Sequence, residues 1–303
     1  MADPSDAVEP GPGAPDGLPQ SRAEPARLSP EALGRARGEV REGLAWLGRE
    51  PETRASLLYR GARLFARFVL FGLFRFRVET SGREHVPGGG YLLVAAAHRG
   101  WMDPFLVQHA LPTEPRAWFL GSGPSAFSSR WREWLLRRLG GMLPVWRGGV
   151  GIDQHVASAQ AVLRAGGVFV LMPEGGIGGP PDRTATFRLG SALICLRTGA
   201  PIIPLAMAGS QELYIGRRMA TRILPATTTT ALLTGEWDGV LPEVGSRAEL
   251  DLARLLTSRL AALLGEAITE LYPRTVDGPD HPRRLRRRLT WLLLRPGKID
   301  EGG

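Results

Sequence analysis

Two short segments of the chain bring together residue types that work as acid–base pairs. His98 directly follows the apolar run Tyr91 to Ala97, and Asp103 comes five residues later, in His98-Arg-Gly-Trp-Met-Asp103. An imidazole with a carboxylate on one ring nitrogen is held in a single tautomer. It offers its other nitrogen to a substrate hydroxyl, which is the logic of general-base catalysis. The same spacing suits an aspartate that caps the helix opening at Pro104. Glu174 ends a second apolar run, Val168 to Met172, and enters a glycine-rich loop, Glu174-Gly-Gly-Ile-Gly-Gly179. Glycines there let backbone amides approach a phosphate closely, while the plainer reading is a tight turn with a solvent-facing glutamate. The loop lacks Gly-Lys-Ser/Thr, and Pro181 occupies the last glycine position of a dinucleotide fingerprint, so neither nucleotide motif is present. A third run, Leu139-Gly-Gly-Met-Leu-Pro-Val-Trp-Arg147, delivers one guanidinium suited to a phosphate monoester. Against it stands the abundance of arginine: the chain has 37, with Lys298 its one lysine.

The elements that must position these residues are legible as an alternation. Tyr91 to Ala97, Ala117 to Leu120, Val168 to Met172 and Ile202 to Met207 read as buried strands. Pro201 and Pro204 assign the last of these to an edge or a bend. Helical stretches lie at about 103–110, 128–139, 153–165 and 186–198, with Gly166-Gly167 and Gly199 at their C-caps. Ser246-Arg-Ala-Glu249 is a capping box that opens a helix running to about Tyr272. The expected fold class is α/β, with a mostly parallel central sheet flanked by helices. Residues 1–28, with six prolines, read as a disordered tail, and 29–76 as two helices, the second spanning about 52–76. A catalytic domain over 77–245 and a C-terminal helix with a basic, apolar tail over 246–303 complete the organisation.

Charge narrows the class of partner. The chain has 303 residues, 43% of them apolar, and a formal charge of +8, so it buries a real core and favours acidic partners. The excess is local. Residues 54–77 carry six arginines and no acid, 283–295 another six and no acid, and 130–147 five against Glu133, which leaves the remainder net negative. In 54–77 the arginines alternate with Leu and Phe, the pattern of a helix lying in an anionic membrane interface; the alternative is a helix docked on the core with solvated arginines. No nucleic-acid module is present. Cys195 is alone, so no intramolecular disulfide forms, and its apolar neighbours place it in the core. No second histidine stands at metal-ligand spacing from His98, no Gly-x-Ser-x-Gly elbow occurs, and neither a metal nor a cofactor is expected. The N-terminus has no secretory pattern, and no apolar run near it approaches the ~20 residues of a membrane span. The expected location is the cytoplasmic face of the cell membrane, peripheral or monotopic.

In order and context, the segments resemble the glycerolipid acyltransferases, the family of 1-acylglycerol-3-phosphate acyltransferases. That family's His-x-x-x-x-Asp block is met by His98 and Asp103, and its block ending in Arg by Gly141 to Arg147. Its Pro-Glu-Gly block is met by Pro173-Glu174-Gly175, and its proline-rich strand by Ala200 to Pro204. The resemblance covers about residues 60–235. It implies His98 as general base and Asp103 as its orienting partner. Arg147, Glu174, Gly175 and Gly176 would bind a lysophosphatidate-like acceptor, and acyl-CoA or acyl-acyl carrier protein would be the donor. Two departures stand out. Ala97 replaces the family's usual Asn or small polar residue, and Ile177 replaces the arginine that helps grip phosphate. Arg183 and Arg188, just downstream, are the candidates to compensate. A different acceptor, or a non-catalytic lipid-binding protein on the same fold, is the alternative.

Overall fold

Six consecutive residues of the strand before His98, Tyr91–Ala96, are all buried, and they divide the core between two faces. Side chains alternate across a strand. Leu92, Val94 and Ala96 enter one apolar cluster and Tyr91, Leu93 and Ala95 the other. A strand buried on both faces requires a layer of helices on each side, which is the arrangement observed.

The computed structural model describes residues 51–122, 141–145 and 152–276, together with Leu136 and Leu139. Its seven strands are β1 (Arg77–Ser81), β2 (Tyr91–Ala96), β3 (Ala117–Ser122), β4 (Met142–Val145), β5 (Val168–Leu171), β6 (Ile202–Ala208) and β7 (Arg218–Ile223). They form one sheet in the order β1-β7-β6-β2-β5-β3-β4, parallel throughout except for the antiparallel pair β6–β7. The helices are α1 (Leu57–Arg67), α2 (Asp103–Ala110), α3 (Ile152–Arg164), α4 (Leu189–Thr198), α5 (Thr229–Leu232) and α6 (Arg247–Leu271). Helices α3, α4 and α6 cover the face of Leu92, while α2 covers the face of Leu93 together with Leu70 and Phe76. The tail 1–28, the helix expected at 29–48, most of that at 128–139, Arg147 and the basic stretch 281–295 lie outside the described residues.

Three local expectations are corrected. The strand carrying Pro204 is interior, between β2 and β7. Ile202 and Thr227 exchange both backbone bonds, so the nitrogen two residues on, at Pro204, faces the same side. There, residues 224–226 leave the ladder between β7 and that bridge, and the missing N–H falls in this gap while the Pro204 carbonyl still accepts from Leu224 N. Second, the helix expected from residue 52 starts at Leu57, where Ser56 Oγ caps Tyr59 N at 3.2 Å, and it becomes a π-helical turn over Phe68–Leu73. Third, the capping box is half formed. Ser246 Oγ accepts from Glu249 N, but the Glu249 carboxylate turns to Arg197 and Gly245 N.

Two strands escaped sequence reading. β1, whose one apolar residue is Val78, carries Arg77 and Glu79, and β7 carries Arg218 and Arg222. That mixture suits strands near a sheet edge and leaves little period-two signal.

Candidate active site

The site forms where the chain leaves adjacent strands for opposite faces. β2 is followed by α2 on one face, and its parallel neighbour β5 leads through a long loop to α4 on the other. Diverging connections open a crevice at the carboxyl ends of such strands, the general ligand position of open α/β sheets. His98 and Glu174 lie just beyond those two ends.

The turn that presents His98 is made at Ala97, whose φ of +74° is left-handed. A residue with a Cβ pays about 1–2 kcal/mol there, and Asn bears that conformation more readily than Ala. The departure noted at position 97 therefore falls at one of the two left-handed non-glycine positions among the described residues.

Asp103 is the first residue of α2 and is fully buried. Its Oδ2 accepts from His98 Nδ1 at 2.8 Å, and from the backbone amides of Arg99 at 2.6 Å and Gly100 at 2.8 Å. It is more than a helix cap: the amides it binds belong to the loop before the helix. With the carboxylate on Nδ1–H, Nε2 is left with its lone pair, on a side chain 14% exposed. This is the geometry of an oriented base beside a reacting hydroxyl.

Glu174 faces inward, its side chain 2% exposed. Oε2 accepts from the His98 amide, and Oε1 from Arg99 Nη1 at 3.0 Å and Ala185 N at 2.9 Å. Gly175 has φ +64°, and a Cβ there would lie 2.4 Å from Cδ of Arg188, so the Arg188 stem rests on this glycine. Gly176 is half-buried, while Arg183, Arg188 and Ile177 are exposed on the same loop, Ile177 at 63%. The structure thus brings His98, Asp103, Glu174, Gly175 and Arg188 into one bonded loop cluster, and Arg183 joins it through its carbonyl, which accepts from Arg99 Nη2. Arg99 is the residue that sequence reading left without a role. Its sole signal was its place beside the base.

Cys195 is fully buried in α4, and burial pushes its thiol up to about 12, so it is no thiolate nucleophile.

A His–Asp pair at the switch point of an open α/β sheet has the geometry to take a proton from a bound hydroxyl. Residues 77–208 match the Acyltransferase family model. Among solved structures the chain is similar to the 1-acyl-sn-glycerophosphate (LPA) acyltransferase PlsC from Thermotoga maritima. The two share 19% identity with a TM-score of 0.51 over 70% of this chain and 79% of that one, a likeness of fold. No curated protein matches the sequence significantly.

Proposed function

We propose that this protein is a membrane-surface O-acyltransferase that moves a fatty acyl group from acyl-CoA or acyl-acyl carrier protein to the hydroxyl of a lysophosphatidate-like glycerolipid. The observation that carries this reading is the 2.8 Å contact between His98 Nδ1 and buried Asp103, beside a glycine-rich loop bearing exposed arginines. His98 Nε2 takes the proton as the acceptor oxygen attacks the thioester carbonyl. The tetrahedral intermediate collapses, the C–S bond breaks, and the imidazolium returns its proton to the departing thiolate. The products are an ester and a free thiol, and no acyl-enzyme is needed. Asp103 holds the tautomer and stabilises the imidazolium. Arg183, Arg188 and Arg147, with the amide of Gly176, hold the acceptor's phosphate, the Gly175 amide being engaged by the Met172 carbonyl. Purified protein is tested with an acyl thioester and a panel of lyso-acceptors, with ester formation as the readout. Lysophosphatidate should be the best substrate. Exposed Ile177 favours a second reading, in which an acceptor without a phosphate monoester turns over faster. No ester from any acceptor would leave only lipid binding on this fold.

The membrane face we assign is α1 and its π-helical continuation. Leu57, Leu64, Phe65, Phe68 and Leu73 are exposed there, beside exposed Arg67 and Arg75. Two arginines of the segment are already engaged. Arg60 pairs with Glu114, and buried Arg63 donates to the carbonyls of Gln108, Leu111 and Pro112 at the end of α2. Among the described residues no helix is long and apolar enough to cross a bilayer. Full burial of one such side chain is worth about 1.5–3 kcal/mol. Replacing Leu64, Phe65 and Phe68 together by Ser should therefore weaken co-sedimentation with anionic vesicles by about 10³-fold or more. Wild-type sedimentation by that variant would remove this segment as the docking face.

A further inference from the structure

We infer that Arg99 is a positioning residue for the base, acting through Glu174 and the glycine-rich loop. The inference rests on the reading of His98 given above and deepens it. The chain from Met172 to Arg188 has no helix or strand and contains Gly175, Gly176, Gly178 and Gly179. Such a segment does not define its own conformation, because glycine adds freedom rather than removing it. One guanidinium does so here. Arg99 Nη1 donates to Glu174 Oε1 at 3.0 Å and to the Gly178 carbonyl, and Nη2 donates to the Arg183 carbonyl at 2.6 Å. Three acceptors spread over ten residues of chain are thus drawn onto one planar group, a task suited to a rigid fork of donors and not to an ammonium. Both partners of the Arg99–Glu174 pair are 2% exposed. Gly179, at φ +98°, leaves the room: a Cβ there would lie 3.0 Å from Arg99 Nη1 and 2.8 Å from Ala185 Cβ.

The consequence reaches the base through its backbone. With Oε1 held by Arg99, Glu174 Oε2 accepts the His98 N–H, and the His98 carbonyl accepts from Gly178 N at 3.0 Å. His98 is therefore clamped on both sides of its Cα by the loop that Arg99 sets. The clamp closes beside the left-handed Ala97, and such a strained residue persists only where its surroundings over-determine it. Asp103 orients the ring, and Arg99 and Glu174 place the residue that carries it. A misplacement of about 1 Å in such a constellation costs about 100-fold in rate. The arrangement also explains why Arg99, though beside the base, leaves phosphate to other arginines: both its Nη atoms donate inside the protein and its side chain is 2% exposed.

Arg99→Gln and Arg99→Lys test this with two independent readouts. The first needs no activity. Trypsin cleaves after the exposed Arg183 and Arg188, and the loop should be cut at least about 10-fold faster in Arg99→Gln than in wild type at a temperature where both are folded by circular dichroism. The second is steady-state acyl transfer. kcat should fall about 100-fold with the KM for the thioester donor within about threefold of wild type, and Arg99→Lys should fall in between on both readouts. If Arg99→Gln does not fold, Arg99→Lys carries the test, with about 10-fold effects in the same directions. A loosened loop with unchanged kcat means Arg99 is structural only, and the inference is overturned. Proteolysis and kcat both within twofold of wild type overturn it as well. If wild type forms no ester with any acceptor, the function reading fails on its own account; the positioning role goes with it, while the proteolysis arm still reports whether Arg99 holds the loop.

Discussion

His98→Ala should lower acyl transfer by about 10²- to 10⁴-fold while leaving the melting temperature within a few degrees of wild type. The size is that of a lost general base. The small effect on stability follows because the ring lies at the rim, held by one hydrogen bond to Asp103. Asp103→Asn should reduce turnover by a similar factor for a different reason. One amide oxygen can still take the amides of Arg99 and Gly100, but the negative charge that stabilises the imidazolium is gone. If the amide nitrogen faces the ring instead, the tautomer inverts and the proton sits on Nε2; the corresponding change in a serine protease triad costs about 10⁴-fold. Initial rates on the best acceptor of the panel, with thermal melts of the same preparations, check both variants. More than half of wild-type activity in His98→Ala would remove His98 as the base.

Arg197→Met should be the most destabilising of the single changes considered. Arg197 in α4 binds Glu249 at the start of α6 through two hydrogen bonds, Nε to Oε1 at 2.6 Å and Nη2 to Oε2 at 2.8 Å. The pair joins two helices of the same layer, with side chains 8% and 0% exposed. Its third member, Asp153, is largely exposed and adds little. Removing the arginine strands a buried carboxylate with only the Gly245 amide, a loss of about 3–5 kcal/mol. For a domain of this size that is a fall of about 10 °C in melting temperature. The effect depends on pH with a definite sign. In wild type the Arg197 hydrogen bonds, more than any other influence, hold the Glu249 carboxyl below the usual carboxylate range. The contribution of Glu249 to stability is therefore full above its unfolded pKa of about 4.3 and is lost as pH falls through the lower folded value. In Arg197→Met the stranded carboxyl can take up a proton, so the deficit is widest near pH 7.5 and narrows toward pH 4.5. Melts of both proteins at those two pH values check the size and the trend, and a fall of less than 2 °C at pH 7.5 would show that the pair contributes little.

How far each of these features could be read in advance follows from its physics. The buried strands β2, β5 and β6 announce themselves as short apolar runs, and α2, α4 and α6 by capping residues and glycine stops. β1 and β7 do not, because a strand near a sheet edge keeps charged residues such as Glu79 and Arg222. Pro204 misled for a related reason: its missing donor is harmless only because a neighbouring strand ends opposite it, a fact of tertiary register. At the site, His98 and Asp103 were legible because both stand in one short segment after a strand. The inward turn of Glu174 and the whole part played by Arg99 depend on contacts between residues about 75 apart. No spacing rule along the chain carries that information.

Arg63 and Asp103 stand at opposite ends of the same short helix. Arg63, on the surface segment α1, grips the last carbonyls of α2, and Asp103 opens its first turn. Eight residues of α-helix span about 12 Å. Helix α2 is thus a rigid link between α1 and the turn that carries the His–Asp pair. A displacement of α1 that carried Arg63 with it would act on α2 as one body, and so on Asp103 at its far end, as a lever moves its load.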